Sequence, residues 1–150
     1  MAKVGIIIDN EKDIKYVEEI EKFFNDLNIS YELKVLSGMD SLEPVDEYIE
    51  IAEKKGIEIL IVCAGISTHL PGIIASKTII PVIGVPLPNN KIPTSDTFFS
   101  VLQMPEGVPV ACMSLGKAGV KNSAILAGEI LSLKDENLKE KVKRFKEKFK

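Results

Sequence analysis

Residues 60–88 read LIVCAGISTHLPGIIASKTIIPVIGVPLP. An unbroken apolar run from Ile59 to Ala64 stops at Gly65. The loop that follows carries the only histidine of the chain, His69, and then Pro71-Gly72. A short stretch of small residues leads to a second apolar run, Val82–Val85. This order reads as strand, glycine loop, helix, strand, the unit of a parallel α/β sheet, whose ligands bind at the carboxyl ends of the strands.

Working outward, the same alternation recurs. Val4–Ile8 is a first strand, and Val17, Ile20, Phe24 and Leu27 mark a helix over 14–27. Tyr31, Leu33 and Val35 alternate with polar residues in a second strand. Val45, Tyr48, Ile49 and Ala52 mark a second helix, stopped by Lys54-Lys55-Gly56. The third strand is placed at 57–64, a short helix at 70–77 and the fourth strand at 82–85. A Pro- and Asn-rich loop, 86–96, precedes a helix near 97–103. A fifth strand is placed at 108–113, an Ala-rich helix at 120–133 and a highly charged one at 135–149.

Five strands alternating with helices predict a three-layer, doubly wound parallel sheet with flavodoxin-like order 2-1-3-4-5 and an additional C-terminal helix. The strands read as continuous apolar runs, as expected when both faces are covered. The switch point then lies between the first and third strands. Loops 9–13 and 64–72 border one crevice, with 37–41 beside it.

The chain has 150 residues, 45% hydrophobic and 27% charged, with formal net charge -3. That predicts a single domain over 1–150 and gives no reason to expect nucleic acid as a partner. No apolar run reaches the roughly 20 residues of a membrane helix, and the N-terminus reads as a strand rather than a signal peptide, so a cytoplasmic location and no membrane partner are expected. Cys63 and Cys112 lie in apolar runs without ligand spacing, and with one histidine no metal site is expected.

Three segments carry a family resemblance. Ala64-Gly65-Ile66-Ser67-Thr68-His69-Leu70-Pro71-Gly72, Pro81-Val82-Ile83-Gly84-Val85-Pro86, and Gln103-Met104-Pro105 with Gly107-Val108-Pro109-Val110-Ala111 resemble the PurE family. Asn122-Ser123-Ala124 fits as well, and the resemblance runs from about Val4 to Leu133. It implies a purine-biosynthesis enzyme, an N5-carboxyaminoimidazole ribonucleotide mutase or an aminoimidazole ribonucleotide carboxylase. It further implies no cofactor, an aminoimidazole ribotide as small-molecule ligand, and a homo-octamer with sites shared between subunits.

Two loops depart from the family pattern. Where the family reads Gly-Ser-x-Ser-Asp, this chain reads Asp9-Asn10-Glu11-Lys12-Asp13, and the resemblance makes the surviving Asp13 the ribose ligand. Where the family reads Ser-Ala-His-Arg-Thr, this chain reads Ser37-Gly38-Met39-Asp40-Ser41. The resemblance gives that His proton transfer and that Arg the substrate phosphate. Met39 cannot move a proton, and Asp40 sets a negative charge where a dianion is to bind. Asp40 is also placed to cap the second helix, with Glu43 as its capping-box partner. The expectation is that mutase or carboxylase activity is lost or changed and that aminoimidazole ribotides are not bound as in the family, unless Lys12, Lys77 or a lysine of a neighbouring subunit takes over the phosphate.

The candidate ligand contacts are therefore Asn10, Asp13, Ser37, Met39, Asp40, Gly65, Ile66 and His69. His69 is either a replacement acid/base or a residue whose ring ties down the glycine loop. Asp13 is either a ribose ligand or a first-turn helix acid. Two other readings of the whole protein stand beside the mutase: a related carboxylase or decarboxylase acting on a different small molecule, and a non-catalytic oligomeric binding or regulatory protein. Leu138, Val142, Phe145 and Phe149 form one apolar face of the last helix, read as packing on the sheet or a neighbouring subunit in preference to a membrane-surface helix, because the stripe is narrow and acidic residues are interspersed. Ile73, Ile74, Ile79 and Ile80 are read as surface for subunit contacts.

Overall fold

The computed structural model describes residues 1–38 and 40–150. Five parallel strands form one sheet in the order β2-β1-β3-β4-β5. They are β1 (Val4–Ile8), β2 (Tyr31–Val35), β3 (Ile59–Ala64), β4 (Val82–Pro86) and β5 (Ala111–Cys112). The helices are α1 (Ile14–Leu27), α2 (Glu43–Lys55), α3 (Leu70–Ala75), α4 (Thr94–Leu102), α5 (Gly116–Ser132) and α6 (Glu136–Glu147), and a 3-10 turn at Glu11–Asp13 leads into α1.

The period of two along the strands divides the core in half. Ile6, Ile8, Ile59, Ile61, Cys63, Ile83 and Val85 face one side, where α1 and α5 cover them with Val17, Ile20, Phe24, Ala124 and Ala127. Ile7, Leu60, Val62 and Val82 face the other, against Val45, Tyr48 and Ile49 of α2 and Leu70 and Ile74 of α3. β1, β3 and β4 are buried throughout, while β2 is a half-exposed edge. Gly5 and Gly84 allow the close approach of the helices on that face, α2 over Gly5 and α3 and α4 over Gly84. A methyl group at Gly5 would lie 2.6 Å from Tyr48 Oη, and one at Gly84 2.7 Å from Val101 Cγ1 of α4.

Element boundaries differ from expectation where backbone chemistry intervenes. β3 begins at Ile59 rather than 57, because Ile57 N still bonds back to Ala52 O in the αL cap at Gly56 (φ 73°). β5 shrinks to two residues. Pro109 has no amide to donate, and Gly107 turns the chain at φ 89° just before it. α5 starts at Gly116, four residues before its expected start. α2 starts at Glu43, and it is Ser41 Oγ that accepts from Glu43 N at 3.2 Å; the cap expected from Asp40 is not formed, and Asp40 is exposed.

α6 packs on α1 and α5 rather than on the sheet. Leu138 and Val142 are buried, and Phe145 meets Phe23 edge-on at 4.7 Å. Of the four isoleucines read as contact surface, Ile74 and Ile80 are core; Ile79 is 97% exposed. No helix of the described residues is long and apolar enough to cross a membrane.

Candidate functional site

The register Ile8↔Cys63 sets the ends of β1 and β3 side by side, so the residues that follow them, Asp9 and Gly65, meet above the sheet. Asp9 is buried, 5% exposed, and its carboxylate accepts from three consecutive amides. Ser67 N lies 2.5 Å, Ile66 N 2.8 Å and Gly65 N 3.2 Å from Oδ2. On the other side of the same loop, Asn89 Nδ2 donates to Gly65 O, while Asn89 Oδ1 accepts from Lys91 N and Ile92 N, each at 2.8 Å. Two side chains from the ends of β1 and β4 thus hold the glycine loop. The His69 ring, expected to tie this loop, is exposed and takes no part in holding it.

Asp13 follows on the same rim. It is the N-cap residue of α1 without a side-chain capping bond, and its Oδ2 lies 3.7 Å from where a β-carbon on Gly65 would sit. Its pKa is raised above the usual 3.8, chiefly by burial and then by the charge of Asp9, with Lys15 working in the opposite direction. Burial, with added negative charge from Asp9 and Asp13, also pushes the Cys63 thiol up to about 12, which makes it an unreactive core residue.

Asp13 and Asn10 open into a cleft of about 560 Å³ with Lys12, Lys15, Ile66, Asn89, Asn90 and Lys91 on its walls. Four of the residues expected at the site, Asn10, Asp13, Gly65 and Ile66, are therefore brought together. His69 is not among them. It lines a separate depression of about 340 Å³ with Asp96, Phe99, Ser100, Gln103 and Met104, against α4. There the two sequence signatures meet: a methyl group on Gly72 would lie 2.7 Å from Met104 Sδ. Ser37 and Asp40 do not line the Asp13 cleft; Gly38 sits by Leu70, with 3.3 Å between a modest added β-carbon and Leu70 Cδ1. Met39 lies outside the described residues. Lys77, a candidate phosphate ligand, is held by Asp46 at 2.8 Å.

Asp9, Asn89, Lys15 and Lys91 also stand at the loop or the cleft, with no local signal in the sequence to mark them. Asp9 stands at a glycine of the family pattern and was legible only as a loss; its partners lie 56 to 58 residues away. Asn89 stood in a stretch recognisable only as loop. Among the described residues no three His, Cys, Asp or Glu side chains gather as a metal ion requires.

Comparison with known proteins follows the same lines. The family model described as AIR carboxylase matches residues 3–150. The N5-carboxyaminoimidazole ribonucleotide mutase of Pyrococcus abyssi is 44% identical over 147 residues, 98% of this chain and 83% of that one. The protein of the same name from Bacillus subtilis is 42% identical over 139 residues, 93% of this chain and 86% of that one. The crystal structure of Treponema denticola PurE superposes with a TM-score of 0.83 at 26% identity, covering 97% of this chain and 89% of that one.

Proposed function

This chain belongs to the AIR carboxylase family, and on that premise we propose that it binds a small ribosyl phosphate in the Asp13 cleft but does not run the mutase reaction by the family's proton-transfer route. One observation carries the reading: the only imidazole of the chain lines the depression under α4, apart from the cleft that contains Asp13. A proton carrier must come within hydrogen-bond reach of the atom it serves. The Met39 thioether has no proton to give, and Asp40 replaces a cation by an anion. Two unit charges about 4 Å apart interact by roughly 4 kcal/mol at the effective dielectric of a protein surface, so that exchange weakens phosphate binding at the old position substantially.

Cationic groups are supplied elsewhere. Lys12, Lys15 and Lys91 line the cleft together with Asp13, which supports the reading of Asp13 as acceptor for ribose hydroxyls. Assembly into a homo-octamer is part of the proposal; exposed Ile79 and Phe99 support subunit contact, and an octameric mass by light scattering is the expected result.

The test is turnover of N5-carboxyaminoimidazole ribonucleotide by the purified protein beside a Met39→His/Asp40→Arg variant, with calorimetric titration of ribose 5-phosphate. The unmodified protein is expected to be inert and to bind ribose 5-phosphate, roughly tenfold more weakly after Lys15→Ala. The second reading, a working mutase, is favoured by the identity to named mutases across nearly the whole chain. Turnover by the unmodified protein would establish that reading and overturn the first.

A further inference from the structure

Consecutive backbone amides that converge on one point make a concavity of partial positive charge that receives anions. The amides of Gly65, Ile66 and Ser67 converge in this way, and the point of convergence is Asp9 Oδ2, with Gly65 N also 3.4 Å from Oδ1. The occupant arrives from β1, the strand beside β3, so it is held in place by the central sheet rather than by a mobile loop. Asn89 fixes the far side of the Gly65 peptide, which keeps the amides aimed at the carboxylate.

We infer that Asp9 is a specificity-determining residue: a built-in anion that fills the Gly65–Ser67 amide nest and excludes the carboxylate or phosphate of a ligand from the inner end of the cleft. Asn10 and Ile66, which flank this pairing in sequence, line the cleft, so the nest lies at its wall. The second carboxylate nearby, Asp13, repels an anion from the same place. Ser67 Oγ, beside the nest, is buried and has no hydrogen-bond partner among the described residues. The ligand that fits carries an uncharged or cationic group here and keeps its anionic group at the lysine-bearing part of the cleft.

The inference deepens the ribosyl-ligand reading and rests on it only for what the cleft takes up. The experiment reads the nest without that ligand. Thermal unfolding and the amide resonances of Gly65, Ile66 and Ser67 are followed for the unmodified protein and for Asp9→Ala, in sodium acetate against sodium chloride at matched ionic strength. Asp9→Ala is expected to melt lower, to regain about 3 °C or more in acetate relative to chloride, and to show saturable shifts of the three amides. The unmodified protein is expected to respond alike to both salts. Equal responses of the variant to the two salts, or failure to fold in either, turns the question to Asp9→Gly, which restores the residue of the family pattern and leaves the nest empty. That variant is expected to bind inorganic phosphate or acetate in the cleft roughly tenfold more tightly than the unmodified protein. Anion affinities that are unchanged in Asp9→Gly, with no acetate-specific gain in Asp9→Ala, overturn the inference. Failure of ribose 5-phosphate to bind would sink the ligand assignment and leave the acetate result standing.

Discussion

Asp13 is held close to a like charge and partly removed from water, and the consequence for stability has a definite sign. A carboxyl whose folded pKa lies above its unfolded value favours the folded state most when protonated. Its contribution is fully present below the usual value of 3.8 and declines as the pH rises through the elevated folded value. Asp13→Asn removes that decline, and asparagine is an equally good residue for the N-cap of α1. The variant is expected to melt a few degrees higher at pH 7, with the difference closing as the pH falls below the ordinary carboxylate range. A melting series from pH 3 to pH 8 checks this; a variant less stable at pH 7 contradicts it. Loss of ribose 5-phosphate binding by the same variant is expected alongside, so stability and ligand binding move in opposite directions. At this scale the sequence was informative about residue type and poor about partners. Asp13, Gly65 and Ile66 lie beside one crevice because they follow adjacent strands. Asp9 was not seen as a ligand of the loop, because nothing local in DNEKD indicates which backbone 56 residues on will meet it.

The elements themselves were more legible, because hydrophobic periodicity depends on neighbours a few residues away. β1, α1 and β2 fall at their expected positions, and the αL stop at Gly56 closes α2 as its sequence indicates. Errors gathered where a contact with another element decides the boundary. α5 is the clearest instance. It begins at Gly116, and a β-carbon on Gly119 in its first turn would lie 1.6 Å from the carbonyl oxygen of Ser114. A backbone oxygen at that distance has no rotamer by which to move aside. Gly119→Ala is therefore expected to destabilise the protein by about 3 kcal/mol, despite the better helix propensity of alanine. Denaturant unfolding measures it; a neutral or stabilising result would mean that the start of α5 relaxes freely. α6 shows the opposite situation. Its apolar stripe predicted a packed helix, but the partner face on α1 and α5 was decided by Phe23 and Phe145, residues 122 positions apart by number.

On the scale of the whole molecule, the strand order 2-1-3-4-5 was readable because right-handed crossovers and double-sided burial leave few alternatives. What could not be read was that the retained signatures divide between two depressions, one with Asp13 and one with His69. Loop conformation decides that division, and it depends on side chains such as Asn89 that bridge from β4 to the end of β3.

The contact between Gly72 and Met104 bears on how this chain can change over time. The two positions belong to segments 32 residues apart, yet the sulfur of one occupies the space that a β-carbon on the other would need. The two positions are coupled through packing. Gly72→Ala alone is expected to cost about 1–2 kcal/mol, and most of that cost should vanish when Met104 is shortened to alanine in the same chain. A double-mutant cycle that proved additive would contradict this. Grafting residues 64–72 from a relative without residues 103–105 of the same relative carries this risk wherever the grafted loop has a larger residue than glycine at its end. The two segments are therefore best exchanged as a pair.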